Sequence, residues 1–367
     1  MNWNYKQPVE IIFGNGRISE LSELLKGAKK PLLVSDPFFV KSGLVNKIKK
    51  IIGEITIYSD ISPNPDISEV DSCSKLITEN NIDVIVALGG GSSLDLAKAA
   101  SIAVDNIEDC ISGKRDIPAE HIPIIAVPTT SGTGSEVTCV AVLTNRKTGK
   151  KAPLVSESFY PKIALIDPEL TYSLPPYMTA STGIDVLCHA VEGYWSKGHQ
   201  PICDALAVYA IKLVFKHLLT AYKDGKNIEA REKLAEASVI AGLAFTLPKT
   251  TASHACSFPL TSIYHIPHGE ACGLTLDYFM VINSSDTRTQ SLASELGYET
   301  VNDFADDIRQ LKQKLNLRVN LEEFSLSNDD ITELVRLSHH PNLSNNPIEI
   351  TDDILLKLYN DLRGGSN

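Results

Sequence analysis

The sequence has 367 residues and a formal net charge of −11, with 43% hydrophobic and 22% charged residues. This length exceeds one ordinary hydrophobic core, so we expect two domains, and the acidic balance excludes a nucleic acid or an anionic membrane as partner. No stretch approaches the roughly 18 apolar residues of a membrane span, and the first residues lack a secretory signal pattern, so we expect a cytoplasmic protein.

The first half of the sequence alternates β-rich runs with helical patterns. The β-rich runs cover residues 31–35, 83–88, 122–127 and 163–166. This alternation predicts a parallel sheet flanked by helices. We interpret Gly14-x-Gly16 as a turn, because it lacks both a preceding strand and the third glycine of a dinucleotide fingerprint.

From about residue 177 the pattern changes to long segments with the 3.6-residue period of helices. The first of these segments cover residues 182–196, 201–221 and 227–246, and others follow to residue 361. A proline-rich junction lies between residues 167 and 176. The sequence therefore predicts an α/β domain over residues 1–176 and an all-helical domain over residues 177–367.

Three glycines, Gly89, Gly90 and Gly91, follow the second β-rich run, and Ser92 and Asp95 then open a helical pattern. Glycines let a pyrophosphate approach the backbone, and the unpaired amides and the dipole of a helix start stabilise its charge. This arrangement predicts a dinucleotide-binding loop. The alternative is a capping box of Ser92 and Asp95 after a tight turn.

A second polar loop, residues 128–136, follows the third β-rich run and contains Thr129, Thr130 and Thr133. Ligands of α/β sheets bind at the carboxyl ends of the strands. Two such loops on neighbouring strands therefore indicate one cofactor site, although an isolated Gly-x-Gly would be weak support.

Asp36 ends the first β-rich run, where a carboxylate can accept hydrogen bonds from an adenosine ribose. In that position it would also repel the 2′-phosphate of NADPH, so we expect NADH to be preferred. The alternative is that Asp36 only forms a turn before Pro37.

The second half contains one aspartate and three histidines that could bind a metal ion. Asp185 and His189 are four residues apart in a helical pattern, which places both on one helical face, and His254 and His268 follow. Alone, the first two could be a surface ion pair and the others core histidines. The four together favour a mononuclear site, and their nitrogen and oxygen donors suit Fe(II) or Zn(II) equally.

The seven cysteines are scattered and form no C-x-x-C pair, which indicates reduced thiols that mostly fill the core. Cys188 and Cys256 lie close in sequence to His189 and His254, but helical geometry turns both thiols away from the ligand face. We therefore expect a metal site without a thiolate.

Motifs along nearly the whole chain resemble those of iron-containing (group III) alcohol dehydrogenases, which are related in fold to dehydroquinate synthase and glycerol dehydrogenase. The matching motifs are Phe13-Gly14-x-Gly16, Pro63-Asn64-Pro65, Gly89-Gly90-Gly91-Ser92-x-x-Asp95-x-Ala97-Lys98, Pro128-Thr129-Thr130-x-Gly132-Thr133-x-Ser135-Glu136-Val137-Thr138, Asp167-Pro168-Glu169-Leu170, Gly183-Ile184-Asp185-x-x-x-His189-Ala190-x-Glu192 and Pro267-His268-Gly269.

The resemblance implies a fold, a cofactor, a metal and their ligands. The implied metal is Fe(II), and the implied fold is an α/β dinucleotide-binding domain followed by a helical metal-binding domain, often as a homodimer. The implied metal ligands are Asp185, His189, His254 and His268. The implied cofactor contacts are Asp36, Asn64, Gly90, Gly91, Ser92, Thr129, Thr130, Thr133 and Lys151.

The chain departs from the family pattern at one position. Many members carry a further histidine four residues after the third ligand, where this chain has Phe258. A proton relay through that position is unavailable, so we expect water to be the proton donor. His265 lies close in sequence, but nothing in the sequence gives it this role.

The segment 247–261 resembles, more narrowly, the phosphonoacetaldehyde reductase (2-hydroxyethylphosphonate dehydrogenase) branch of the family. This implies an anionic aldehyde, for which Lys249 would supply the cation and the hydroxyls of Thr250 and Thr251 would complete the binding site. The alternative is that Lys249 is a solvated residue at a helix start.

The sequence therefore predicts a metal-dependent oxidoreductase that interconverts a small aldehyde, best phosphonoacetaldehyde, and its primary alcohol with NADH or, alternatively, NADPH. We expect the metal to act as a Lewis acid on the carbonyl oxygen while hydride arrives from the nicotinamide. A lactaldehyde, propanediol or butanol dehydrogenase is the alternative within the family. A dehydroquinate synthase-like lyase and a nucleotide-binding protein without activity are the alternatives of other classes.

Overall fold

The computed structural model describes residues 2–145 and 150–364. The chain divides into two compact units, of which the first is Lys6–Tyr172 and the second runs from Ser173 onward and includes the segment up to Tyr5. The sequence placed the junction slightly later, between residues 176 and 177, and assigned the first five residues to the first domain. None of the helices within the described ranges is long and apolar enough to cross a membrane.

The first unit has an α/β fold, as predicted. Its strands are β1 (Glu10–Phe13), β2 (Pro31–Ser35), β3 (Thr56–Tyr58), β4 (Val84–Gly89), β5 (Ile124–Pro128), β6 (Val140–Asn145), β7 (Lys150–Val155) and β8 (Ile163–Ile166). Its helices are α1 (Leu21–Leu24), α2 (Pro37–Lys41), α3 (Leu44–Ile52), α4 (Ile67–Asn80), α5 (Gly91–Ala100) and α6 (Ile107–Ile111). Six strands form a parallel sheet in the order β1-β8-β5-β4-β2-β3, while β6 and β7 form an antiparallel hairpin.

Both faces of this sheet are covered. Every residue of β4 is buried, as expected for a central parallel strand. Ile85 and Ala87 pack in a cluster with residues of α4 and α5, whereas Val86 and Leu88 pack on the other face with Val45 and other residues of α1 and α3. Alternate side chains of β4 therefore pack on opposite faces of the sheet, and the strand ends at Gly89, where the glycine loop begins.

Strand β1 was not predicted from the sequence. The expectation that no strand precedes Gly14 is therefore wrong, because β1 ends at Phe13 and pairs with β8. It is a short edge strand of four residues, and none of them is fully buried. The turn itself is present: Gly16 has a φ of 73° and its N–H donates to Oδ1 of Asp167 at 3.1 Å.

The second unit is all-helical, which confirms the predicted fold class. Its helices are α7 (Pro176–Trp195), α8 (Pro201–Lys223), α9 (Ile228–Phe245), α10 (Ala252–Tyr264), α11 (His268–Ile282), α12 (Thr287–Glu295), α13 (Val301–Lys314), α14 (Asn328–Ser338) and α15 (Asp352–Arg363). Helix α7 is buried nearly all round from Thr179 to Trp195, as is typical of a core helix. A Cβ on Gly269 would lie 2.1 Å from the carbonyl oxygen of Ser181, so α11 approaches α7 this closely only because that residue is glycine.

Candidate functional site

The two predicted cofactor loops meet at the carboxyl ends of β4 and β5. Gly89 is in register with Pro128, and the N–H of Thr129 donates to the carbonyl oxygen of Gly89 at 3.0 Å. A Cβ on Gly90 would lie 3.4 Å from Oγ1 of Thr130. The absent side chain thus leaves open space beside a hydroxyl, as a phosphate-binding loop requires.

Three further predicted cofactor residues border this loop or connect to it. Asn64 has a φ of 54°, and its N–H donates to Oγ of Ser92 at 3.2 Å. The N–H of Thr144 donates to the carbonyl oxygen of Pro65 at 2.8 Å, and Lys151 is the cross-strand partner of Thr144 in the β6–β7 hairpin. The hairpin therefore links Lys151 to the segment that contains Asn64.

Thr129 provides a separate indication of a ligand. Its Oγ1 is buried and finds no hydrogen-bond partner among the described residues. Leaving a buried hydroxyl unpaired costs about 1–3 kcal/mol, so a group that pairs with it would be stabilised. The residues of the two loops therefore fit a dinucleotide.

The capping-box alternative for Ser92 and Asp95 is wrong. The N-cap of α5 is Gly90, without a side-chain cap. Oδ1 of Asp95 instead accepts a hydrogen bond from Oγ of Ser135 at 2.6 Å, and Oδ2 accepts one from the N–H of Val142 at 2.9 Å. Asp95 thus ties the second loop and β6 to α5.

Lys98, for which no separate role was predicted, also holds the second loop and β6 in place. Its fully buried Nζ donates to Oγ of Ser135 at 2.7 Å, to Oγ1 of Thr138 at 3.2 Å and to the carbonyl oxygen of Val140 at 3.0 Å. Burial lowers the pKa of Lys98 to about 8. Its position one turn after Asp95, behind a glycine loop, was the available signal.

Asp36 forms the N-cap of α2, where its Oδ1 accepts a hydrogen bond from the N–H of Phe38 at 2.7 Å. This contact agrees with the turn-forming alternative. Asp36 also follows β2 directly, at the same edge of the sheet as the glycine loop, because Ser35 pairs with Leu88. Its contact with a ribose stays a prediction.

The four predicted metal ligands come together in the second unit. Asp185 and His189 lie one turn apart on α7, His254 lies in the first turn of α10, and His268 is the first residue of α11. Oδ1 of Asp185 lies 3.7 Å from Nε2 of His254 and 4.0 Å from Nε2 of His189. The ring centroids of His254 and His268 are 5.4 Å apart.

The chemistry of these groups fits a cation. Within the described part of the chain, Oδ1 of Asp185 and Nε2 of His254 are buried without a hydrogen-bond partner. Burial raises the pKa of Asp185 to about 7. Since a buried carboxylate is costly to ionise alone, a divalent cation would stabilise its charged form and satisfy both unpaired atoms.

Glu192, which was predicted only as part of a motif, orients His254. It is fully buried, and its Oε2 accepts a hydrogen bond from Nδ1 of His254. Its Oε1 accepts hydrogen bonds from Oγ1 of Thr251 at 2.7 Å and from the N–H of Ser253 at 2.9 Å. With the proton held on Nδ1, Nε2 of His254 presents its lone pair, the arrangement that metal-binding histidines need.

The sequence also missed Cys272, one turn after His268 on α11. Its Sγ lies 3.8 Å from Nε2 and 3.9 Å from Nδ1 of His268. Four donor atoms lie within 4.8 Å of one another, one each from Asp185, His254, His268 and Cys272. The prediction from the sequence set aside only Cys188 and Cys256, and the four-residue spacing of Cys272 from His268 was the available signal.

Comparison with known proteins decides the family. A family model described as iron-containing alcohol dehydrogenase matches residues 8–168, and one described as the C-terminal part of the Fe-containing alcohol dehydrogenase family matches residues 179–362. The chain belongs to the iron-containing alcohol dehydrogenase family. This confirms the resemblance found in the sequence.

Relatives of this iron-containing alcohol dehydrogenase are named as dehydrogenases and reductases. The crystal structure of sulfoacetaldehyde reductase from Bifidobacterium kashiwanohense in complex with NAD+ matches with a TM-score of 0.96 and 54% identity over 100% of both chains. A sulfoacetaldehyde reductase of Bilophila wadsworthia is 32% identical over an alignment of 371 positions, which covers 95% of this chain and 96% of that protein. Alcohol dehydrogenase 4 of Schizosaccharomyces pombe is 34% identical over 358 residues, covering 93% and 85% of the two chains. The chain is therefore an alcohol or aldehyde oxidoreductase, and the lyase and non-enzymatic alternatives lose their support.

The three residues of this dehydrogenase that were predicted to bind the substrate differ in burial and in hydrogen bonding. Thr251 is fully buried, and its hydroxyl donates to Glu192 and accepts from Nε1 of Trp195 at 2.8 Å. Thr251 therefore supports Glu192, and its contact with the substrate stays a prediction. Oγ1 of Thr250 accepts a hydrogen bond from Asn342 at 2.8 Å, and Lys249 is exposed.

The ring of Phe258, which replaces the histidine of many family members, stacks on His268 with centroids 6.4 Å apart. His265 is exposed at the C-terminal end of α10. His340 instead contacts Phe258 at a centroid distance of 4.6 Å, and its Nδ1 accepts from the N–H of Asn342 at 3.2 Å. The sequence carried no signal for His340, since its contact with Phe258 arises only in the folded chain.

Proposed function

We propose that this iron-containing alcohol dehydrogenase reduces sulfoacetaldehyde, a two-carbon aldehyde with a sulfonate group, using NADH. The proposal rests on the similarity along the whole chain to the Bifidobacterium sulfoacetaldehyde reductase, at 54% identity and a TM-score of 0.96. The more distant Bilophila relative, a sulfoacetaldehyde reductase, supports the same substrate class.

The second unit would hold the metal through Asp185, His189, His254 and His268, with Fe(II) as the family metal and Zn(II) as the alternative. When bound, the cation supplies a Lewis acid for the carbonyl oxygen of the aldehyde. Glu192 keeps the proton of His254 on Nδ1. The buried positions of Asp185 and His254 limit competing hydration of the ligand atoms.

The first unit would hold NADH, which supplies the hydride. Gly90 and Gly91 leave room for the pyrophosphate next to Thr130 and Thr133, and the network of Lys98 keeps the second loop in place. We propose Asp36, Asn64, Ser92, Thr129 and Lys151 as the remaining contacts.

An anionic substrate needs a local cation, because the protein has a net charge of −11. Lys249 is exposed in the segment that joins α9 to α10, five residues before His254. We propose that its ammonium group and the hydroxyl of Thr250 bind the sulfonate. Phe258 has no ionisable group that could donate a proton, so water would protonate the product oxygen.

Phosphonoacetaldehyde is the second candidate, and the resemblance of segment 247–261 favours it. Both candidates place an anionic group two carbons from the reacting oxygen, but the phosphonate carries up to two charges.

We further propose a homodimer in the cytoplasm, which sedimentation and cell fractionation would test.

An initial-rate screen tests the proposal. Sulfoacetaldehyde, phosphonoacetaldehyde and propionaldehyde would be compared with NADH and NADPH, using enzyme loaded with Fe(II) or Zn(II). We expect the highest kcat/KM for sulfoacetaldehyde with NADH. A higher kcat/KM for phosphonoacetaldehyde would select the second candidate, and a higher value for propionaldehyde would reject an anionic substrate.

A further inference from the structure

We propose that the thiol of Cys272 is an additional ligand of the metal ion, next to Asp185, His254 and His268. This inference rests on the proposed metal site and extends its ligand set beyond one carboxylate and three imidazoles. It makes Cys272 a residue that determines which metal the site prefers.

The first support is position. Cys272 follows His268 by four residues on α11, so both side chains point from the same face of the helix. Sγ of Cys272 lies 3.8 Å from Nε2 of His268. Four donor atoms lie within 4.8 Å of one another: this sulfur and one atom each of Asp185, His254 and His268.

The second support is the spacing of the donors. With metal–nitrogen bonds of about 2.1 Å and a metal–sulfur bond of about 2.3 Å, two ligand atoms at the 90–120° angles of a five-coordinate ion lie about 3.0–3.8 Å apart. The observed separations are 3.8 Å between Cys272 and His268 and 3.7 Å between His254 and Asp185. A shift of a few tenths of an ångström therefore closes these atoms around one ion.

The third support is the unpaired atoms that face this cluster. Among the residues that the structure describes, Oδ1 of Asp185 and Nε2 of His254 are buried and lack hydrogen-bond partners. Cys272 is fully buried beside them, where it can reach the same ion.

Charge balance favours the thiolate once a cation is bound. A bound divalent cation deprotonates a coordinating thiol. The resulting thiolate and the carboxylate of Asp185 together match the charge of the cation, which lowers the cost of burying it.

A neighbouring cysteine provides a matched control. Cys256 is also fully buried and lies two residues after His254 on α10. Its thiol interacts with the hydroxyls of Tyr359 and Ser338. Cys256→Ser therefore changes a buried thiol of the same unit without changing the proposed ligand set.

The test is the absorption spectrum of the full-length enzyme loaded with one Co(II) per chain, because thiolate ligation produces an intense charge-transfer band in the near-ultraviolet. We expect this band in the wild type and in Cys256→Ser, and its loss in Cys272→Ser. A competition between Zn(II) and Fe(II), read by metal analysis, is the second readout. Because thiolates favour zinc, Cys272→Ser should lower the zinc-to-iron occupancy ratio at least about tenfold.

Two outcomes would overturn the proposal and are distinguishable. Wild-type enzyme that binds Co(II) without the charge-transfer band would reject Cys272 as a ligand while leaving the four-residue site intact. Wild-type enzyme that binds no Co(II), Zn(II) or Fe(II) would reject the metal site itself. The wild-type spectrum decides the first case even if Cys272→Ser fails to fold.

Discussion

Glu192 and His254 are joined by a buried hydrogen bond between Oε2 and Nδ1. The other carboxylate oxygen, Oε1, is held by the hydroxyl and the N–H of Thr251, at 2.7 and 3.1 Å. The position of the imidazole therefore depends on a carboxylate that itself cannot rotate freely. This pair connects the central helix α7 to the start of α10 and determines which nitrogen of His254 faces the proposed metal.

Glu192→Gln is expected to weaken metal binding about 10- to 100-fold, the usual effect of removing the group that supports a metal-binding histidine. The amide keeps the shape but loses the charge that favours a proton on Nδ1. A chelator competition measures the affinity. Glu295→Gln, which changes the exposed partner of the Tyr194 hydroxyl, is the control. Equal metal affinity in wild type and Glu192→Gln would show that Glu192 does not orient His254.

Asp36→Ser separates the two interpretations of Asp36. Serine is as good an N-cap as aspartate, so α2 should keep its cap while the carboxylate is lost. We expect the ratio of kcat/KM for NADPH to that for NADH to rise, with an unchanged Tm. Asp36→Ala, the control, should change this ratio similarly and also lose about 0.5–2 kcal/mol of stability. An unchanged cofactor ratio in both variants would leave Asp36 as a cap alone.

Gly91→Ala tests the glycine loop. Its Cβ would lie 3.0 Å from Cγ2 of Thr133, in the space proposed for the pyrophosphate. We expect the Kd for NADH to rise at least about tenfold, equal to 1.4 kcal/mol, and the stability to fall by about 1–3 kcal/mol through overpacking.

The double variant Gly91→Ala/Thr133→Ser separates these two effects. Serine lacks the methyl group of Thr133, so the double variant should regain stability but not NADH affinity. NADH titration and thermal unfolding measure both quantities. If NADH affinity returned together with stability, the methyl would have caused the whole effect, and Gly91 would not line the pyrophosphate site.

The sequence was sufficient where local patterns carry the information. The buried strand β4 gives a continuous apolar run, and the four-residue spacing of Asp185 and His189 places both on one helical face. The edge strand β1 is only four residues long, has no fully buried residue and was missed. The hydrogen bond from the hydroxyl of Thr251 to Glu192, 59 residues away, was not predicted, because only the folded chain reveals it.

Lys249→Met is expected to lower kcat/KM for sulfoacetaldehyde about 10- to 150-fold, which corresponds to the roughly 1.5–3 kcal/mol of a hydrogen bond to a charged group. Activity on propionaldehyde should change little, because that substrate carries no charge. Lys249→Arg keeps the cation and should restore most of the loss. Equal losses on both aldehydes, or no loss on either, would remove Lys249 from the substrate site.

The central claim is that the enzyme reduces an aldehyde and that this activity depends on the metal site of α7, α10 and α11. The most direct test measures activity on sulfoacetaldehyde with NADH after the metal is removed and after it is added back. Chelated wild type should lose at least about 10³-fold in kcat/KM, because a Lewis acid supplies several kcal/mol, and regain it with Fe(II) or Zn(II). His268→Ala should stay inactive after metal addition, with unchanged NADH binding. Full activity of the metal-free wild type, or of His268→Ala, would contradict the account.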